Sequence, residues 1–292
     1  MLAIVHVLNF SLMIGLPLAL GVWLTRRFRL SWGLFGWGAL TFIASQALHI
    51  PFNQLILVPW IVGLGFPDEV LGLIIGSLLV GLSAGVFEEL ARYVFLQRWA
   101  REARSWRSGL LYGAGHGGVE AMIFGGLAMF SFIQAMVLRN ADLAQVLEPG
   151  EIALAQQQLE AYWGMSPGLA LLGAIERVFA LLVQMSAALM VVISVVRSDR
   201  WWLIAAIAWH TIVDGAAVYL MQRFDIYVAE GAVFVMAVAA LGFIFWVRQT
   251  GLLPEDNGDD SNGSTLRSGS SRLPNHGIQD RIGEDMDRSR YV

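Results

Sequence analysis

The sequence predicts an all-α fold, a polytopic bundle of about seven transmembrane helices with an outer amphipathic helix and a disordered cytoplasmic tail. Three observations lead there. Hydrophobic residues make up 57% of the 292-residue chain and charged residues only 14%, where a soluble protein carries roughly a quarter charged. Apolar runs of about 18 residues or more recur, each long enough to cross a hydrocarbon core of about 30 Å. Charges outside the tail gather at the ends of these runs, or at a handful of positions inside them.

The expected spans cover about 2–24, 32–50, 70–96, 109–138, 168–196, 201–221 and 226–247. The first lacks a basic region before its apolar stretch and carries its arginines after it, which reads as a true span rather than a cleaved signal. Arg26, Arg27 and Arg29 follow span one, and Arg98, Arg101, Arg104 and Arg107 follow span three. Arg197 and Arg200 follow span five and Arg248 span seven, whereas the opposite loops carry only Arg139 and Arg223. That asymmetry puts the N-terminus outside and the C-terminus in the cytoplasm, as for an integral protein of a prokaryotic plasma membrane.

Two outer segments are more than turns. Residues 51–69 are apolar but broken by Pro51, Pro59 and Pro67, as in an interfacial or re-entrant segment. The second half of 141–163 repeats apolar residues at helical spacing, the mark of an amphipathic helix. Beyond about 251 the composition turns to Gly, Ser, Asp, Asn and Arg, which cannot bury a core. The chain thus divides into a membrane domain, 1–250, and a disordered tail, 251–292.

Composition also excludes. Cysteine is absent, so no disulfide, thiolate ligand or cysteine nucleophile exists. Every basic residue is arginine, and no basic tract points to nucleic acid. The expected partners are the lipid bilayer and a membrane-embedded peptide or protein.

Ionisable residues inside spans are costly and usually face the protein interior, so they detect sites. "AGVFEELARYVFL" at 84–96 offers Glu88, Glu89 and Arg92. Span four offers His116 and Glu120, span five Glu176, Arg177 and the polar Gln184, and span six His210 and Asp214. Glu88, His116 and His210 lie roughly 12, 10 and 13 Å from the arginine-rich face at helical rise, so three helices bring polar centres to one level. Glu120, Gln184 and Asp214 share a second level nearer the midplane. Arg92, four residues from Glu88, can keep a carboxylate ionised. Glu120 and Asp214, each one turn from a histidine, can orient the imidazole. Glycines 113, 115, 117 and 118 around His116 allow close approach of another backbone.

Two carboxylates and two histidines suit amide hydrolysis. A glutamate takes a proton from water, and histidines either donate to the oxyanion or bind a metal that polarises water and carbonyl. Structural readings stand beside these. Glu88, Glu89 and Arg92 could be a buried ion pair that pins helix packing. Glu176 and Arg177, about 100° apart on a helix, should not simply neutralise each other. His6 and His49 fall near outer span ends, away from the shared level. "GLSAG" at 81–85 matches a nucleophile-elbow pattern, but Ser83 sits inside an apolar helix where no such elbow forms.

The motifs "FEELARY", "GAGHGGVEA", "AIERVFALL" and "WHTIVDG" together resemble the YhfC family of intramembrane proteases, within the wider group of CAAX prenyl endopeptidases, bacterial CPBP proteins and PrsW proteases. The resemblance covers roughly 1–250. It implies that Glu88 or Glu89 activates water and that His116 and His210 assist. The spacing is Glu-Glu-x-x-Arg rather than the Glu-Glu-x-x-x-Arg of the CAAX branch, which weakens an inference of prenylated substrates. Gln184 stands near a position where the resemblance implies a histidine, which favours a mechanism needing no cofactor. If a metal binds, zinc held by His116, His210 and Glu88 or Glu89 is the expectation. The predicted function is intramembrane endopeptidase; the rivals are a proton-coupled transporter and an inactive peptide-binding scaffold.

Overall fold

The computed structural model describes residues 1–254; the expected disordered tail lies, apart from residues 251–254, outside the described residues. In chain order the helices are α1 (Leu2–Phe28), α2 (Trp32–Phe52), α3 (Val58–Gly63), α4 (Glu69–Arg98), α5 (Trp106–Arg139), α6 (Leu143–Val146), α7 (Ile152–Gly164), α8 (Pro167–Arg197), α9 (Trp201–Arg223) and α10 (Ile226–Thr250). No strand occurs among the described residues, so the all-α class holds.

Among the described residues, six helices are long and apolar enough to cross a membrane: α1, α4, α5, α8, α9 and α10. The remaining expected span, the second, is α2, which is 21 residues long but is interrupted by Thr41, Ser45, Gln46 and His49. It packs against α4 and α5 all the same, and its polar side chains matter below.

Side chains fix several boundaries. Asp68 accepts from the Leu71 amide at 2.8 Å, starting α4, and Ser105 with Ser108 forms a capping box that starts α5. Ser166 caps α8, whose first residue is Pro167, where the missing N–H costs nothing. Helices α1, α8 and α10 stop at residues in the left-handed conformation, Arg29, Ser198 and Gly251.

The broken segment 51–69 proves mostly helical. Pro51 lies inside α2, and Asn53–Leu57 follow as a π-helical turn. A proline removes one rung of the hydrogen-bond ladder, and a π turn re-seats the neighbouring carbonyls. Pro59 falls in the first turn of α3, where it is tolerated. The amphipathic helix expected in 141–163 is α7; its Tyr162 ring stacks on His6 of α1 with centroids 4.4 Å apart.

Helix α8 is the axis. Two thirds (67%) of its most apolar window is buried, against 28% or less in the other spans. Around Leu189, Val191, Val192 and Ile193 of α8 gather Leu24, Phe35, Leu96, Leu111 and Ile244, a core at the end where the arginines cluster. Burial there holds the bundle while leaving the middle of the helices to polar groups.

Candidate active site

Adjacent residues on a helix diverge by about 100°, and Glu88 and Glu89 accordingly meet different neighbours. Glu89, fully buried, is paired with Arg92 and has its Oε1 2.7 Å from Nδ1 of His210. Glu88 faces the other way. Its Oε1 accepts from Nε2 of Gln46 at 2.9 Å. Its Oε2 lies 3.0 Å from Nε2 of His116 and 3.8 Å from Nε2 of His210. Arg92 approaches the same oxygen at 3.7 Å, and the Gln184 amide at 3.4 Å.

The residues expected at one level therefore do meet, from α4, α5 and α9. Backbone proximity makes this possible. A Cβ built on Gly113 would lie 2.8 Å from Cα of Met185 in α8, and one on Gly117 equally close to Gln184. The glycine stretch lets α5 bring His116, fully buried, against Glu88. Phe42 closes the other side, its ring edge-on to His116 at 5.3 Å.

The supporting residues divide. Asp214 does pair with its histidine, Oδ2 lying 3.3 Å from Nε2 of His210, and its side chain is 40% exposed against 7% for Glu88. Glu120 does not pair with His116. Its Oε1 takes Arg177 at 2.8 Å and its Oε2 takes Gln184 at 2.7 Å, because the i+4 offset leaves it rotated toward α8. Arg177 also grips its neighbour Glu176, with Nε 2.8 Å from Oε2. Expected not simply to neutralise each other, the two do pair, long side chains closing the gap of about 100°, while Arg177 also holds Glu120. Gln184 hydrogen-bonds Arg92 through its carbonyl and Glu120 through its amide, joining both clusters.

A third arm, on α2, does not follow from the ionisable residues of the spans. Nδ2 of Asn53 lies 2.9 Å from Nε2 of His49, and Nδ1 of His49 lies 3.2 Å from Oε1 of Gln46. The Gln46 carbonyl can only accept, so His49 carries its proton on Nδ1 and its Nε2 accepts. The ionised Glu88 carboxylate likewise can only accept, which is why Gln46 turns its NH₂ to it and its carbonyl to His49. Ser83 closes the outer end, donating to Asn53 at 2.9 Å, a helix-packing role rather than a nucleophile elbow. Polar residues three apart on α2 (Gln46, His49) and a third four further on in the π-helical turn (Asn53) are the signal that the sequence holds for this arm.

Zinc fits this donor set in kind. Nε2 of His116, Nε2 of His210 and Oε2 of Glu88 converge, the two-imidazole, one-carboxylate combination of zinc hydrolases. Glu89 on Nδ1 of His210 stands where a carboxylate would fix that imidazole's tautomer if it held a metal. Among the described residues no three acid, His or Cys side chains already stand in ligating geometry. Among the described residues, His116 Nδ1, Glu89 Oε2 and Arg92 Nε find no hydrogen-bond partner, though all three are buried.

A helical membrane protein with paired carboxylates and imidazoles buried at one level is the class this geometry defines. Residues 12–240 match the family described as YhfC intramembrane metalloprotease, and the chain belongs to that family. It is 30% identical over 236 residues to the uncharacterized membrane protein YhfC of Bacillus subtilis (strain 168), covering 80% of this chain and 90% of that one. No solved structure matches it.

Proposed function

We propose that the chain hydrolyses a peptide bond of a membrane protein or peptide, with Glu88 as the base toward water. The observation that carries this reading is the position of Glu88 Oε2, flanked by Nε2 of His116 and of His210. Water gives a proton to Glu88 as its oxygen bonds to the carbonyl carbon. His116 and His210 donate to the oxyanion that forms. Glu88 then returns the proton to the amide nitrogen as the C–N bond breaks. Arg92 and His210 occupy Glu89, which leaves it an orienting role. A zinc ion bound by His116, His210 and Glu88 would polarise the carbonyl and acidify water at the same place. The arginine bias supports a site in the cytoplasmic third, with the N-terminus outside and the tail inside.

The test compares membrane peptides in cells with the wild-type chain, with none, and with Glu88→Gln or His116→Ala. A peptide that accumulates in the last three and is cleaved by purified wild-type chain supports the reading; cleavage by both variants at the wild-type rate ends it. Elemental analysis with activity before and after chelation separates the two forms. Cleavage that survives chelation supports water held by Glu88 and histidines; loss restored by zinc supports the metal form.

One observation favours a second reading. Polar contacts run from Glu176 through Arg177, Glu120 and Gln184 to Glu88, a track through the bundle interior of the kind used by proton relays. Proton-coupled solute uptake by proteoliposomes, without cleavage of any accumulated peptide, would select the transporter.

A further inference from the structure

At the arginine-rich end, α1 and α10 both pack on α8, and the cleft between them holds a cavity of about 340 Å³. Its floor is Leu110 of α5 with Leu182 and Met185 of α8, and its walls include Leu20, Leu241 and Ile244. Arg27 and Arg248 stand among its lining residues, near the ends of α1 and α10, and no acidic residue joins them. Neither arginine has an ion-pair partner among the described residues. Arg27 lies over the Phe28 ring at 5.9 Å and Arg248 over Trp106 at 5.1 Å. Stacking on a ring positions a guanidinium without neutralising it.

The surroundings sharpen this. Leaving Arg107 aside, nine arginines (26, 27, 29, 98, 101, 104, 197, 200 and 248) fall at this end, against Glu102 and Asp199 among the described residues. Those residues supply too few anions for the cations there. An apolar cleft capped by two guanidiniums that have no acidic partner among the described residues fits an amphiphile with an anionic head. The acyl chain covers the leucines, and the phosphate takes the paired N–H donors that arginine presents so well. A zwitterionic lipid also has a phosphate, but it brings its own cation to a surface already crowded with them. We infer that the α1–α10 cleft is a binding site for one anionic phospholipid, its phosphate held by Arg27 and Arg248.

Neither residue touches the Glu88 cluster, so this inference does not rest on the proposed hydrolysis. The test uses the purified full chain exchanged into vesicles of equal phosphatidylglycerol and phosphatidylcholine, with retained lipid measured by native mass spectrometry. Wild-type chain should retain about one phosphatidylglycerol in preference to phosphatidylcholine. Arg27→Gln with Arg248→Gln should cut that preference by roughly fivefold per arginine. Arg98→Gln with Arg101→Gln, exposed at the same end but outside the cleft, should leave it unchanged. Leu182→Trp fills the cavity, keeps both arginines, and should also reduce retention. Water-soluble glycerol phosphate should not displace the lipid. Equal retention of both lipids by the wild type, equal loss in the two arginine pairs, or displacement by glycerol phosphate would each overturn the inference. The wild-type comparisons stand even if a variant fails to fold.

Discussion

Nδ1 of His210 lies 2.7 Å from Oε1 of Glu89, while Nε2 of the same ring is turned toward Glu88 and Asp214. Glu89 therefore sets how the imidazole is presented, and Glu88 meets what the imidazole presents. Glu88→Gln should lower peptide cleavage by about 10²- to 10⁴-fold, the usual worth of a general base, with little change in thermal unfolding. Glu89→Gln should reverse the emphasis, since it strips the Arg92 guanidinium of its closest carboxylate. A clear drop in melting temperature in detergent should precede any comparable loss of turnover. Equal stability losses in the two variants would contradict this division.

Gln46 gives Glu88 its one hydrogen bond from α2, and His49 holds the Gln46 amide the right way round. Gln46→Leu removes a donor to a carboxylate, an interaction worth about 1.5–3 kcal/mol, and should lower kcat by about tenfold or more. KM should hardly change, because Gln46 touches Glu88 rather than the space a substrate would fill. His49→Ala lets the amide turn over and should produce a smaller loss of the same kind. Steady-state kinetics on a cleaved peptide decides it; a change confined to KM would refute the positioning role.

Much of this site can be read from the chain, and the limit is geometric. Counting residues from the arginine-rich ends gives height in the membrane, which is why residue numbers alone suffice to match Glu88, His116 and His210. Counting does not give azimuth. Glu120 lies one turn from His116 along α5 but faces Arg177 and Gln184. His49 lies near an outer helix end, off the shared level, yet two hydrogen bonds carry its influence down to Glu88. Neutral Gln46 raises no alarm in the sequence, since an amide in a span costs less than a charge and stands out less.

Arg92 is fully buried and serves Glu88, Glu89 and Gln184 at once. Arg92→Met leaves Glu89 without its cation and should destabilise the chain by about 3–5 kcal/mol, the range for breaking a buried pair. Adding Glu89→Gln to Arg92→Met should recover part of that loss, because it removes the stranded charge. Thermal unfolding of both variants in one detergent measures the recovery; strictly additive losses would show that the two residues do not act as a pair.

Gly115 is pressed against the Phe35 backbone of α2, and Gly38 of α2 is pressed against the Tyr112 backbone of α5. Both neighbours are main chain, which cannot swing aside. Gly115→Ala or Gly38→Ala should therefore separate the two helices and cost about 1–3 kcal/mol. Gly126→Ala on the same helix α5, where nothing lies within 4 Å of a new Cβ, should be neutral or slightly stabilising. A comparison of the three melting temperatures tests it.

Those glycines recur at α4–α9, where Gly81 and Gly85 meet Gly215, Thr211 and Ile207, and at α5–α8 through Gly113 and Gly117. The α2–α5 and α4–α9 seams close largely on main chain, which leaves no side chain there to act as a door. Parting either means displacing a whole helix, against every other contact that helix makes. The bundle is thus stitched shut along three lines that converge on Glu88, and whatever reaches that carboxylate must travel along a seam the stitching leaves open.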